Sequence, residues 1–192
     1  KELQLRRAKA LGLEVPETLF TNDPDAVRAF FEANGGDIVT KMQHSFAIYR
    51  EGLETVVFTN PVTRADLDEL DGLRFSPMTF QRRIEKKLEL RVTIVGEQVF
   101  TASIDSTRRQ ETAVDWRRDG VGLIEDWQPF ELPEETARAL KALASELGLN
   151  YAACDLIVTP DDRLVFLEVN AVGEFFWLQA HPGLPIVEAI AG

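Results

Sequence analysis

The stretch Tyr151-Ala152-Ala153-Cys154-Asp155-Leu156-Ile157-Val158-Thr159, followed after Pro160-Asp161-Asp162 by Arg163-Leu164-Val165-Phe166-Leu167-Glu168-Val169-Asn170, decides the fold. Both halves are short apolar runs, and Pro-Asp-Asp between them is turn chemistry, so the stretch predicts a β-hairpin. Whether the loop is Asp161-Asp162 alone or the four residues Pro160 to Arg163, paired residue numbers have the same sum. Asp155 then stands opposite Glu168. Directly opposed side chains have Cβ atoms about 4.5–5.5 Å apart, where like charges repel. Asn170, two residues after Glu168, joins the same face. Three hard oxygen donors on a sheet suit magnesium, which binds oxygen at about 2.0–2.1 Å and shares its shell with substrate phosphates. On spacing alone, the alternative is a pair of carboxylates that are merely wet or paired with arginine. Cys154 points to the opposite face and reads as a buried, inert thiol.

Outward from the hairpin, Pro133 to Leu147 predicts a helix stopped by Gly148. Leu88 to Val95 alternates, with Leu88, Leu90, Val92 and Ile94 on one side and Glu89, Arg91 and Thr93 on the other, so this strand should have one wet or functional face. A turn at Gly96-Glu97 leads into a strand from Gln98 to Ile104. Earlier, Glu17 to Thr21 reads as a strand, and Thr21 or Asn22 caps a helix that stops at Asn34-Gly35-Gly36. Asp37 to Lys41, Phe46 to Arg50 and Glu54 to Thr59 read as further strands. Thr63 to Asp66 has capping-box spacing. Helices and strands mix without a regular βαβ repeat, which makes the class α+β. The amphipathic opening from Lys1 to Leu13, with no initiating Met, reads as the start of a fragment whose preceding domain is absent.

Composition narrows the functional classes. Against 21 Lys and Arg stand 32 Asp and Glu, a net charge of −11, which argues against nucleic acid or an anionic membrane as partner. One cysteine rules out an internal disulfide or a multi-thiolate zinc cluster and fits a reducing cytoplasm. No apolar run approaches the roughly 20 residues of a membrane helix. Within this acidic chain, Arg108, Arg109, Arg117 and Arg118 cluster in one polar loop, either a local anion site or a solvated loop with incidental ion pairs. Lys41, beside Gln43-His44-Ser45, is open to the same two readings. His44 and His181 read as surface residues, and Phe175-Phe176-Trp177-Leu178 as a helix packing on the core.

The segments from Lys87 to Gly96, Asp115-Trp116-Arg117-Arg118, Asp155 to Asp161 and Phe166-Leu167-Glu168-Val169-Asn170 together resemble ATP-grasp ligases, and more narrowly the microviridin-type (graspetide) peptide maturases. The resemblance runs from Lys1 to Gly192. It implies two α+β lobes with mainly antiparallel sheets clamping ATP: a leading helix over 1–15, a smaller lobe or lid over 16–81, and a larger lobe over 82–192 that carries the metal site. It also implies activation of Asp or Glu side chains of a ribosomally made precursor peptide, with leader and acidic core, as acyl phosphates. Intramolecular ω-ester or ω-amide crosslinks result. Carried over by position, Asp155, Glu168 and Asn170 hold Mg2+, Lys41 and Lys1 contact the nucleotide, and Glu89 lies near the ribose. Arg91 and Arg117 serve phosphate or the acyl phosphate, and Gln81, Arg82, Arg83 and Ile84 form the hinge at adenine. A cytoplasmic enzyme fits this reading, and a homodimer is compatible with it. The sequence departs from the family at Arg82-Arg83, where many relatives have Glu and an aromatic residue, and at Met42 and Ala171, where proline is usual. A small-molecule ligase of the same fold and a non-catalytic peptide-binding module are the alternatives.

Overall fold

The computed structural model describes residues 1–42, 47–50, 53–56, 59–108, 122 and 124–192, with only the backbone described for 47–50, 53–56 and 108. Chain contacts divide it into two units, one of Lys1–Val15 with Ile84–Gly192 and the other of Pro16–Arg83. Helix α1 (Glu2–Ala10) opens the chain and belongs to the larger unit, where it contacts the last strand and the longest helix.

In the smaller unit, β1 (Thr18–Thr21) leads to α2 (Pro24–Ala33). The cap of α2 is Asp23, not Thr21 or Asn22: its Oδ1 accepts from the Asp25 amide at 2.9 Å. Pro24 explains the shift, because proline lacks an N–H and suits the first helical position, which leaves its predecessor to cap. Thr21 Oγ1 instead accepts from the Asp23 amide at 2.9 Å. The helix ends at Asn34, and Gly35 and Gly36 follow at positive φ. Strands β2 (Ile38–Lys41), β3 (Ala47–Arg50), β4 (Leu53–Val56) and β5 (Asn60–Pro61) follow, then a 3-10 segment Ala65–Phe75 and β6 (Met78–Arg82). The Asp66 carboxylate accepts from both the amide and the hydroxyl of Thr63, each at 2.7 Å, which lowers its pKa and fixes the entry to that segment. The sheet order is β1-β6-β2-β5, with β3 and β4 paired as a separate hairpin. Val27, Phe31, Ile38, Val62, Leu67, Leu73 and Phe80 form this unit's core.

The larger unit is built on a five-stranded antiparallel sheet. Its strands are β7 (Leu88–Val95), β8 (Gln98–Ile104), β9 (Gln128–Pro129), β10 (Tyr151–Val158) and β11 (Leu164–Asn170), in the order β11-β10-β7-β8-β9. Helix α3 (Glu134–Glu146) buries Leu140, Leu143 and Ala144 and contacts α1 and β10. Helices α4 (Phe176–Ala180) and α5 (Ile186–Ala191) supply Leu178 and Ile186, which pack with Ala102, Ile104 and Trp127. Edge strand β11 is closed by the leading segment. Phe166 donates its amide to the Glu14 carbonyl at 2.8 Å, and the Gln4 amide group both donates to the Val169 carbonyl at 2.8 Å and accepts from its N–H. These contacts cover part of the ladder that an edge strand would otherwise expose.

The hairpin reaches the expected pairing by a different route. Thr159 pairs with Arg163, so the loop is the three residues Pro160 to Asp162, closed by Asp162 at φ 61°. That is the known three-residue solution, a tight turn followed by a left-handed residue. Pairs next to it, such as Val158 with Leu164 and Leu156 with Phe166, are one residue out of the expected register. A β-bulge then inserts Leu167 as an extra residue, and beyond it Asp155 stands opposite Glu168, Cys154 opposite Val169 and Ala153 opposite Asn170. The shorter loop and the bulge offset each other.

The turn is held by Asp161, whose carboxylate accepts from Thr159 Oγ1 at 2.6 Å and Arg163 Nε at 2.7 Å. The bond to Arg163, then that to Thr159, pulls its pKa to about 2 from an ordinary 3.8. A depressed pKa means the ionised form stabilises the fold above about pH 4, and this share is lost as pH falls toward 2. Asp161→Asn is therefore expected to flatten the acid limb of the stability curve, measured by denaturant unfolding against pH. The bulge makes a second prediction. Phe166 is fully buried and Leu167 is not. Phe166→Ala should cost about 3–5 kcal/mol, and Leu167→Ala less than the ~2 kcal/mol at the low end for core leucines; an unbulged hairpin would reverse that order.

Candidate functional site

Asp155 lies between two partners on one sheet face. On one side the register sets it opposite Glu168, and on the other opposite Arg91 of β7. Arg91 Nη1 donates to Asp155 Oδ1 at 2.7 Å, and its other terminal nitrogen donates to the Glu174 carbonyl at 3.0 Å. The guanidinium carbon is 5.4 Å from the Trp177 ring centroid, within cation–π range. Glu168 is ion-paired with the Lys1 ammonium, which α1 delivers one turn before Gln4. The like-charge pair therefore has a cation on each flank. Asp155 and Glu168 keep about a fifth of their side-chain surface exposed, against 8 % for Arg91.

The face of β7 expected to be wet or functional is covered. Arg91 is 7 % exposed and Thr93 fully buried. Residues after β11 fold back over them, and Gly173 permits it: a Cβ there would fall 2.5 Å from Ala153 Cβ and 2.8 Å from Arg91 Nη2. The strap is tied down by the Tyr151 hydroxyl, which donates to the Gly173 carbonyl, and by Asn170 Oδ1, which accepts from the Val172 amide at 3.0 Å. Sequence reading had passed over Tyr151, Gly173 and Trp177 as site components, and Gln4 as the anchor of Lys1. A glycine three residues after Asn170 was the available signal for Gly173; nothing local marked the others.

Of the residues singled out, Lys1, Arg91, Asp155, Glu168 and Asn170 come together in the larger unit. Glu89 lies on the same face, two residues along β7, where one oxygen accepts from Lys86 Nζ at 2.7 Å and Ser106 Oγ at 2.6 Å. Ile84 begins the return to this unit. Lys41 ends β2 in the smaller unit, opposite Thr79. Gln81 is buried there, its amide donating to Thr18 Oγ1 at 3.0 Å. Arg82 donates its amide to the Glu17 carbonyl, and Arg83 Nε donates to Asp37 Oδ1 at 2.6 Å. Arg117, with Arg109, Arg118 and His44, lies outside the described residues. Cys154 is 1 % exposed, and burial, with Asp155 nearby, pushes its thiol up to about 12, as suits an inert core residue. Trp177 and Leu178 pack inward as expected of their segment, but Phe176 is exposed.

Among the described residues no group of three or more His, Cys, Asp and Glu could hold a metal; Asp155, Glu168 and Asn170 present two carboxylates and one amide on one face. No described helix is long and apolar enough to cross a membrane.

Solved structures share this fold. The chain superposes with a TM-score of 0.94 on a Chryseobacterium gregarium RiPP-associated ATP-grasp ligase in complex with ADP and a leader and core peptide; the two are 44% identical over 99% of this chain and 57% of that one. The macrocyclase MdnC of Microcystis aeruginosa MRC, bound with precursor peptide MdnA, gives a TM-score of 0.86 and 50% identity over 100% of this chain and 57% of that one. The chain has the fold of the ATP-grasp ligases. Macrocyclase MdnB of Microcystis aeruginosa MRC is similar at TM-score 0.77 and 38% identity, again over 57% of its length. The chain thus spans under three-fifths of each of these proteins. No family model and no curated protein matches it. The α+β architecture with antiparallel sheets is that of the ATP-grasp fold.

The tight packing at Gly173 makes a prediction. Gly173→Ala should destabilise the protein by about 1–3 kcal/mol, the usual range for overpacking. Ala153→Gly removes the nearer obstacle, so the double variant should recover part of that loss in a double-mutant cycle. Additive costs would show that the strap does not press on Ala153.

Proposed function

We propose that this chain forms the nucleotide- and metal-handling part of an ATP-dependent carboxylate ligase that closes crosslinks within a ribosomally made precursor peptide. The observation that carries the reading is Asp155 opposite Glu168, with Asn170 on the same face and Arg91 and Lys1 at their flanks. Similarity at 44% identity to a protein solved with a leader and core peptide, and at 50% to one solved with a precursor peptide, supports the substrate class.

The residues fit magnesium: hard oxygen donors, partly exposed, held on a sheet, with incomplete ligation that phosphates and water would finish. Magnesium bound there supplies charge stabilisation at the phosphates of ATP. Lys41 is assigned to those phosphates and Arg117 to phosphate or the acyl phosphate, while Arg91, bonded to Asp155 and the Glu174 carbonyl, holds the carboxylate. Glu89 is assigned to the ribose, and the backbone of Gln81 to Ile84 to adenine. The Gln81 side chain donates to Thr18 and its main chain is paired within the sheet between β1 and β2. A carboxylate oxygen of the peptide attacks the γ-phosphorus and ADP leaves. A hydroxyl or amine of the same peptide then adds to the acyl carbon, giving up its proton as phosphate departs, and an ester or amide remains. Holding both groups in place can contribute about 7–11 kcal/mol.

Each bond closed removes one water, so the peptide should lose about 18 Da per ring, a mass fixed by that stoichiometry, with one ADP and one phosphate formed. Mass spectrometry of full-length protein with ATP, magnesium and a candidate precursor tests this. Glu168→Gln should abolish the mass loss while the protein stays folded, and Lys41→Ala should reduce it strongly. Full turnover by Glu168→Gln would remove the metal assignment. ADP release with an unmodified peptide but a ligated free amino acid would transfer the chain to the small-molecule ligases.

A further inference from the structure

We infer that Arg91, held by the Gly173–Trp177 strap, makes Asp155 a single-oxygen ligand and thereby selects magnesium over calcium at this site. The inference rests on the metal-site reading above and concerns which cation the site accepts.

Nη1 of Arg91 engages Oδ1 of Asp155 at 2.7 Å, so Oδ2 is the oxygen that Asp155 can turn to a cation. Magnesium takes six ligands in near-ideal octahedral geometry at about 2.0–2.1 Å, and carboxylates usually meet it through one oxygen. Calcium takes six to eight at about 2.3–2.6 Å and gains its extra ligands largely from carboxylates that bind through both oxygens. A guanidinium fixed on one oxygen blocks that second mode at Asp155.

The guanidinium cannot easily move aside. Its other end is bonded to the Glu174 carbonyl, the Trp177 ring lies 5.4 Å from its carbon, and Gly173 passes against it. With 7 % exposure it has little solvent to turn into. Trp177, Gly173 and Tyr151 are therefore positioning residues, acting on Asp155 through Arg91. Lysine at position 91 would keep the charge but lack the planar fork that spans Asp155 and the Glu174 carbonyl together.

The test is titration calorimetry of magnesium and of calcium into the full-length protein saturated with ADP, which needs no turnover. The wild type should bind magnesium in preference to calcium. Arg91→Lys and Trp177→Leu should each lower that preference about tenfold, chiefly by tighter calcium binding, while Trp177→Phe, which keeps an aromatic face, should hold near the wild-type ratio. Because Trp177→Leu leaves every charged group in place, it reports on selectivity even if Arg91 variants fold poorly. An unchanged calcium-to-magnesium ratio in folded Arg91→Lys and Trp177→Leu would overturn the inference and leave the metal site standing. Failure of the wild type to bind either cation would overturn both.

Discussion

Two carboxylates facing each other across adjacent strands are the constraint on which the larger unit depends. Without compensation, Asp155 and Glu168 would weaken the hairpin that carries them. The fold answers with one cation on each side, Arg91 from the neighbouring strand and Lys1 from the leading helix. Each cation in turn needs a mount. Arg91 requires the strap and the glycine that lets it lie flat on Ala153, and Lys1 requires a helix seated on the sheet edge through Gln4. Much that surrounds the sheet can be read as a consequence of that one juxtaposition.

The compensation also alters what removal of a carboxylate would do. Glu168 alone beside Asp155 would be a source of repulsion, and deleting it would relieve the sheet. With Lys1 paired to it, deletion leaves a partly buried ammonium without its carboxylate, which offsets the relief. Lys1 and Arg91 settle the pair electrostatically.

Much of this was legible in the sequence, and where it was not the reasons are local. Hairpin, facing carboxylates and alternating strand followed from periodicity and turn residues. The loop length did not, because Pro-Asp-Asp suits several turns and only Asp162 in a left-handed conformation selects the three-residue form. The bulge at Leu167 has no signature, since an extra leucine in an apolar strand looks like any other strand residue. The helix cap moved by one because the proline rule outranks the general preference for threonine or asparagine. The strap was hidden for a different reason: strand alternation says which residues share a face but not what later segment covers it. The alternation left the polar face of β7 either wet or functional; Arg91 bonds to Glu174, 83 positions later, and Thr93 is buried.

Cys154 gives the sheet a property of practical use. It is the chain's one thiol, it sits directly behind Asp155 in the middle of the central strands, and its pKa near 12 keeps it protonated and unreactive while the strands stay together. Only a molecule whose sheet has parted exposes it to an alkylating reagent. The rate of its modification is thus a clock for opening of the hairpin at Asp155 and Glu168, read without any label added to the protein.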